Sequence, residues 1–379
     1  MNWKTTNINQ ERSLNSVNWK ALEEYAIKVK RKYSGNYNDE ITCRLSAEYS
    51  MGGLNVVRRL DFHDATSWVA RLQLHESTPE SLQRLVHEVH TIQVVRDRSK
   101  IPVPEVFAYE ANCSNAVGVA FMIMESIPGD TAMDSFGGWC EHRGRTPPHF
   151  KDKFHTTMAE IQVEMASIRF PKIGSIIQLS DGTYSVGPIP GVGGPFDSAA
   201  EFFRAWAKQA KYPYKDKIVR ERTPPELVNE ILISIREFPF QLANFTKRYC
   251  FQEGPFPLFH TDLYKSNILI DSEYGVLSVI DWENAIVAPW EIVEFIKDLC
   301  IVPPVMNGPL YHEDDADRQV LAERGRYIEM VRKAEKARQL DSKLSTVLGN
   351  WSAQNLAHAI WLYLDGRIGF YTHVFELFE

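Results

Sequence analysis

The residues best suited to chemistry lie between Leu258 and Glu283. His260, Asp262 and Asn267 form a His-x-Asp-x4-Asn pattern, and Asp281 follows fourteen residues after Asn267, on the end of the apolar run Val279-Ile280. Phosphoryl transfer gives each residue type a task. The group in flight needs positioning and charge neutralisation more than covalent chemistry. Asp262 suits the carboxylate that accepts a hydrogen bond, or a proton, from an attacking hydroxyl. Asn267 and Asp281 offer the amide oxygen and the carboxylate that a hard cation such as Mg2+ prefers. His260 reads as a brace that holds the loop by hydrogen bonds. Taken singly, a His-x-Asp is an ordinary solvated loop and an Asn-Ile-Leu an ordinary strand start. Their order, and their place between apolar strands, carry the reading.

Other elements must hold this segment in place. A helix is expected around Ala21–Lys32. From Thr42 to Leu74, short β-rich runs are broken by Gly52-Gly53 and by a His63-Asp64 turn, which predicts an antiparallel meander. Thr78-Pro79-Glu80 supplies a cap, a first-turn proline and an acid for the helix dipole. Leu82, Leu85, Val86, Val89 and Ile92 then fall at helical spacing, with Glu88 on the flank of that stripe. Ile101-Pro102-Val103-Pro104 ends the helical region. Phe121-Met122-Ile123-Met124-Glu125 reads as a strand stopped by Pro128-Gly129, where a lobe boundary is placed. Beyond it, Phe154, Met158, Ile161, Met165 and Ile168 mark an amphipathic helix. Residues 171–198 read as a long loop with a hairpin at Asp181-Gly182, and helices follow to about residue 250. Leu258–Asp281 reads as loop, strand, turn, strand. The remainder from Trp290 is mostly helical, broken at Pro303-Pro304.

On these motifs the sequence resembles the aminoglycoside phosphotransferase / choline kinase superfamily, in its fungal phosphotransferase branch. The resemblance rests on His260-x-Asp262-x4-Asn267, Ile280-Asp281-Trp282-Glu283, Ile101-Pro102-Val103-Pro104 and Phe121–Glu125, and covers about residues 40–300. It implies an α+β, bilobal, protein-kinase-like fold. A small antiparallel sheet with one main helix would form the N-lobe, and a larger, mostly helical C-lobe would follow. The implied divisions are an N-terminal extension at 1–40, a nucleotide-binding N-lobe at 41–126, and a catalytic, acceptor-binding C-lobe at 127–379. Gly52, Gly53 and Asn55 would form the turn that covers the phosphates, since glycine lets backbone N–H groups approach them. Arg71 sits where the fold's phosphate-binding lysine belongs, with Glu88 as its ion-pair partner. Arginine keeps the charge but brings a bulkier fork. Glu125 and Ile127 would be the hinge to which adenine hydrogen-bonds, through backbone.

The resemblance implies ATP and Mg2+ as cofactors and a small-molecule hydroxyl as acceptor. Asp298, Asp365 and Glu376 are candidate acids for the acceptor pocket, although solvated helix faces are the plainer reading. The aromatics Trp351, Trp361, Tyr363, Phe370, Tyr371 and Phe375 read first as core. A protein kinase fits less well, because no Asp-Phe-Gly or Ala-Pro-Glu signature follows Asp281. A kinase-fold nucleotide-binding scaffold stays open as the alternative, supported by Arg71 and the unusual glycine turn.

Composition narrows the setting. The chain has 379 residues, 44% hydrophobic and 24% charged, which suits two lobes rather than one minimal domain. A formal charge of −7 without a basic block argues against nucleic acid as the partner. No apolar run approaches the ~18 residues of a membrane helix. The five cysteines, Cys43, Cys113, Cys140, Cys250 and Cys300, are odd in number and contain no CxxC pair, which predicts free thiols and a reducing, cytoplasmic setting. A monomer or homodimer is expected.

Overall fold

The structure is a computed structural model that describes residues 14, 16–35, 40–52, 55–73, 78–142, 145–249, 251–309, 312 and 315–378. Helix α1, Trp19–Ser34, opens at Asn18, whose side chain caps it, and closes on Gly35 in the left-handed region (φ 67°). Strands β1 (Cys43–Met51), β2 (Asn55–Phe62) and β3 (Ser67–Gln73) follow, then α2 (Pro79–Arg98), β4 (Val106–Glu110), β5 (Phe121–Glu125), β6 (Asp130–Thr131) and the short α3 (Gly138–His142). Next come α4 (Lys151–Ser167), β7 (Arg169–Phe170), β8 (Ser175–Gln178), β9 (Tyr184–Gly187), α5 (Ala199–Gln209), α6 (Asp216–Glu221) and α7 (Val228–Phe245). Strands β10 (Phe256–Phe259), β11 (Ile268–Ile270), β12 (Val276–Val279) and β13 (Ile286–Val287) precede three helices, α8 (Asp315–Ala337), α9 (Lys343–Gly349) and α10 (Trp351–Asp365).

The chain divides into two units. The first takes Met1–Pro147, Ile177–Tyr184 and Lys265–Asn284; the second takes Pro148–Ile176, Ser185–Tyr264 and Ala285–Glu379. The mixed α+β class expected from the sequence is what the chain adopts, with an antiparallel sheet in the first unit and mostly helix in the second.

In the first unit the sheet order is β1-β2-β3-β5-β4, antiparallel throughout. Strand alternation decides what each face carries. Trp68, Ala70 and Leu72 of β3 join Phe121 and Ile123 of β5 in a core with Leu22 and Ala26 of α1. The intervening residues turn the other way. Val69, Met122 and Met124 pack against Leu85 and Val89 of α2. Arg71 shares the parity of Val69, so its side chain is directed to the α2 face. Helix α2 begins as its sequence predicts, with Pro79 in the first turn and a reciprocal box in which Thr78 and Ser81 each accept the other's backbone N–H. A second small sheet, β12-β11-β6, carries the end of the Asp281 segment, and Val279 N–H reaches back to Pro102 C=O at 2.8 Å. Strand β4 is an addition to the expected elements, since Pro102 and Pro104 disguise its approach.

In the second unit β10 lies between β13 and β7, and Leu258 pairs with Val287. The strand therefore begins before Leu258, where the sequence suggests a loop. Helix α4 is the predicted amphipathic one, and Tyr327 of α8 donates to the buried Gln162 on it at 2.8 Å. The aromatics Tyr363, Phe370, Tyr371 and Phe375 are buried as core residues, whereas Trp351 is exposed. A buried polar chain crosses this core. Arg324 Nη2 lies 2.8 Å from His358 Nε2, and His358 Nδ1 lies 2.6 Å from Glu294, which also pairs with Lys297. Arginine can only donate, so His358 Nε2 must accept and Nδ1 must carry the proton. The imidazole is thus neutral.

This chain sets a pH dependence. Burial lowers the His358 pKa, against the pull of Glu294. Burial alone would raise Glu294, but Lys297 and the His358 hydrogen bond bring it down to about 2. In the first unit, burial lowers His90 and takes His87 to about 4. Below pH ~6.5 the unfolded chain binds protons that these folded histidines refuse, so stability falls as pH falls. Below about pH 4.5 the depressed Glu294 adds to the loss in the same direction. His358→Gln, which keeps a donor and an acceptor but cannot titrate, should flatten the decline between about pH 6.5 and 5 by up to about 1.4 kcal/mol per pH unit, read from urea unfolding. An unchanged slope would show that His358 does not carry it.

Candidate functional site

In the first unit the parity of β3 brings Arg71 onto a helix face that also presents a carboxylate. Glu88 is spaced with Leu85, Val89 and Ile92 and is 2% exposed, so it lies within the buried stripe of α2 and not on its flank. An ionised carboxylate there needs a partner. Arg71 Nη1 donates to it. The other end of the fork, Nη2, lies 2.5 Å from Glu283 and 3.2 Å from Asp281. Asn55, with its amide oxygen turned toward the guanidinium, accepts from Nη2 at 2.9 Å and from Nε at 3.2 Å. Burial works against the Arg71 charge, but Glu88, Asp281 and Glu283 outweigh it and hold the guanidinium firmly protonated. Burial pushes the Glu88 carboxyl up, to about 7, with Asp281 and Glu283 adding to the effect and Arg71 opposing it.

These side chains line a cavity of about 710 Å3. Gly52, Asn55, Arg71, Glu88, Glu125, Ile127, Asn267 and Asp281 all border it. Gly52 N–H donates to Asn55 C=O at 2.9 Å, which closes the turn from β1 to β2. Gly53 lies outside the described residues. Met124, Val69 and Ile92 give one wall an apolar character. At the segment of the expected hinge, Glu125 N–H is engaged with Glu105 C=O at 2.8 Å, and Ile127 C=O accepts from Gly129 at 3.0 Å.

Asp281 has two features that single it out. Its φ of 66° is left-handed, a conformation that aspartate tolerates better than most residues but that still costs free energy. Its Oδ1 is buried and accepts no well-aligned hydrogen bond, and its partner is the Arg71 guanidinium at 3.2 Å. Asn267 sits beside it on the chain path, since Ile280 N–H donates to Asn267 C=O at 2.9 Å. An amide, a carboxylate and a surrounding excess of negative charge make a donor set suited to a hard divalent cation.

Asp262 and His260 belong to the second unit. His260 is 1% exposed, and its Nδ1 accepts the Asp262 N–H at 3.2 Å. Asp262 C=O accepts from Tyr264 N–H at 2.8 Å, so the loop after β10 is a tight turn that presents the half-buried Asp262 side chain. Lys297 Nζ stands 5.3 Å from the centroid of the Tyr264 ring. Of the candidate acids, Asp298 is within 4.0 Å of His155, Asp365 feels the charge of Asp262, and Glu376 is exposed. Lys265, a residue whose type suggests solvent exposure, is buried in the first unit and reaches Thr146 Oγ1 at 3.3 Å.

Glu283 is the cavity residue to which the sequence motifs assign no task. Its signal is present all the same: an arginine in place of lysine has two ends to satisfy, and Glu283 is the acid two residues beyond Asp281. Thr131 and Asp134, hydrogen-bonded to each other at 2.8 Å, also border the cavity, and no motif points to them.

The family model of the phosphotransferase enzyme family matches residues 48–291, and the chain belongs to that family. A subtelomeric hrmA-associated cluster protein of Aspergillus fumigatus is 30% identical over 139 residues, 37% of this chain and 26% of that protein. The match thus spans about a quarter of that relative's length. Among solved structures, a macrolide 2'-phosphotransferase type I aligns with a TM-score of 0.44 at 12% identity, covering 95% of this chain and 98% of its own. A putative fructosamine-3-kinase of Thermobifida fusca aligns with a TM-score of 0.45 at 16% identity, covering 89% of this chain and 94% of its own.

The buried pair should behave as one energetic unit. Arg71→Met leaves Glu88 facing an apolar wall and should cost about 3 kcal/mol of unfolding free energy. Glu88→Gln should cost less, because Arg71 keeps Glu283. In the double variant the losses should fall short of additive by more than about 1 kcal/mol, measured by urea denaturation. Strict additivity would show that the two side chains do not depend on each other.

Proposed function

We propose that the protein is an ATP- and Mg2+-dependent phosphotransferase that moves the γ-phosphoryl group to a hydroxyl of a small molecule. Membership of the phosphotransferase family supports the reaction class. The observation that carries the finer reading is the first-unit cavity, which Gly52, Arg71, Glu88, Asn267 and Asp281 all border, with three carboxylates, Glu88, Asp281 and Glu283, around the single Arg71 guanidinium.

In this reading the first unit binds the nucleotide. The apolar wall at Val69, Ile92 and Met124 takes the adenine, and backbone near Glu125 and Ile127 orients it. The turn at Gly52 brings N–H groups to the phosphates, and Arg71, steered by Glu88, supplies positive charge. Asn267 and Asp281 hold Mg2+, which when bound neutralises charge on the phosphate oxygens. Asp262 accepts the hydrogen bond of the acceptor hydroxyl. As the hydroxyl oxygen bonds to phosphorus, the bond from phosphorus to the β–γ bridging oxygen breaks, ADP departs and the hydroxyl proton passes to Asp262. A loose transition state asks little of that base, so an ordinary carboxylate suffices. His260 holds the Asp262 backbone. Among the described residues the cysteines Cys43, Cys113, Cys140 and Cys300 are free thiols, which supports a reducing, cytoplasmic setting. Among the described residues no helix is long and apolar enough to cross a membrane.

The roles are separable. At millimolar ATP the melting temperature should rise with Mg2+ and rise less with EDTA, by mass action on the folded state. Asp262→Asn should keep that shift and lose about 10²-fold or more in ADP release against a library of alcohols. Asp281→Ala should lose both. Equal loss of nucleotide binding in the two variants would remove the distinction between base and metal ligand. No ATP-dependent shift in the unmodified protein would overturn the reading.

A further inference from the structure

The second unit contains a cavity of about 720 Å3 that the roles above do not use. Arg222, Arg367 and Tyr214 border it, with Leu227, Ile231 and Phe370 among its apolar lining. Both arginines lie at helix ends that border this cavity. Arg222 caps the end of α6, and α10 ends on Gly366 in the left-handed region (φ 76°), so that Arg367 follows directly on the turn. Gly366 C=O accepts from Tyr212 at 2.8 Å, and a Cβ on Gly366 would stand 2.6 Å from both Pro213 and Tyr214. Only glycine permits that approach.

Arg222 and Arg367 are both exposed where they border the cavity, so their N–H groups are accessible to a ligand. Among the described residues neither guanidinium has a carboxylate within ion-pair reach. Arg222 instead stacks over the Tyr214 ring, 5.5 Å from its centroid. A planar guanidinium presents paired N–H groups, the geometry that matches an oxyanion. Thr223 also borders the cavity; it is 8% exposed, and its buried Oγ1 has no hydrogen-bond partner. Asp365 borders the same cavity. Burial raises its carboxyl, Lys297 pulls it down, and Glu294 and Asp262 push it up, which relates this cavity to the Asp262 loop within one unit.

Resting on the phosphotransferase reading, we infer that this cavity takes the acceptor, and that the acceptor is an alcohol with an apolar body and a compact oxyanion held by Arg222 and Arg367. The hydroxyl lies toward Asp365 and Asp262. Tyr214 and the aliphatic lining enclose the body. The charge of the acceptor is therefore opposite to what the acidic chain as a whole would attract.

Three rigid primary alcohols that differ in one group test this. They are 4-(hydroxymethyl)benzoate, 4-(hydroxymethyl)benzamide and 4-(hydroxymethyl)benzylamine, titrated by calorimetry against the full chain with Mg-ADP present. The benzoate should bind at least about tenfold more tightly than either of the others. Arg222→Ala and Arg367→Ala should each remove about fivefold or more of that affinity, and the lysine variants should recover part of it, since charge returns without the fork. Raising the salt concentration should weaken the benzoate alone. Equal affinity for all three alcohols, a benzoate affinity that the arginine variants leave unchanged, or no benzoate binding up to about 10 mM would each overturn the inference. The melting-temperature shift with Mg-ATP is recorded on the same samples. If it is present while the benzoate fails, the acceptor inference falls and the phosphotransferase reading stands; if it is absent, that reading has failed.

Discussion

A guanidinium shared among three carboxylates organises the first unit. Arg71 is directed inward because strand parity sets it with Val69, and Glu88 is buried because helical spacing sets it with Leu85 and Val89. Neither position tolerates an isolated charge. The pair therefore fixes α2 against β3 in one register. Glu283 then ties the end of the Asp281 segment to the same fork, at 2.5 Å. One arginine thus joins three stretches of chain that are remote in sequence. A lysine, with a single point of charge, would make the first contact but would not bridge both ends so well.

The same cluster is electrostatically incomplete. Three carboxylates surround one guanidinium, and the excess negative charge lies partly buried. The folded chain has two ways to relieve it. Glu88 can take a proton, which is the direction its raised pKa takes. A cation beside Asp281, whose Oδ1 has Arg71 at 3.2 Å, would relieve it as well. Asp281 is also held in the left-handed region, at φ 66°. Local strain is tolerated where the side chain must be aimed.

How much of this was legible in the sequence depended on distance along the chain. The meander, the cap at Thr78 and the helical spacing of α2 are local, and each could be read within a dozen residues. The Asp262, Asn267 and Asp281 pattern was legible because all three lie on one short segment. Glu283 was not, because its partner is 212 residues away and no local pattern announces the pairing. The burial of Glu88 was missed for a related reason. Its spacing placed it within the apolar stripe, but a carboxylate reads as a flank residue until a buried partner is known. Strand β4 follows two prolines that suggest irregular chain, and only its pairing with β5 makes it a strand. The start of β10 at Phe256 was hidden in the same way, since Phe256-Pro257 gains its strand character from pairing with Arg169-Phe170.

The second unit shows the opposite electrostatic solution, and the contrast separates structure from function. Glu294, Cys300 and His358 offer ligand atoms within 4.8 Å of one another, a set that by composition could hold a metal. Their surroundings argue otherwise. Lys297 and Arg324 already occupy the directions from which a cation would be attracted, one on Glu294 and the other on His358 Nε2. The His358 nitrogen facing Glu294 carries a proton, and burial holds the Cys300 thiol in its neutral form. Every member of this cluster is satisfied by its neighbours and the local charge is already positive, so a metal would have to displace bonds rather than complete them. The cluster reads as a structural brace. The Asp281 cluster in the first unit has the opposite balance, three carboxylates around one guanidinium, and that excess of negative charge is what would draw a cation there.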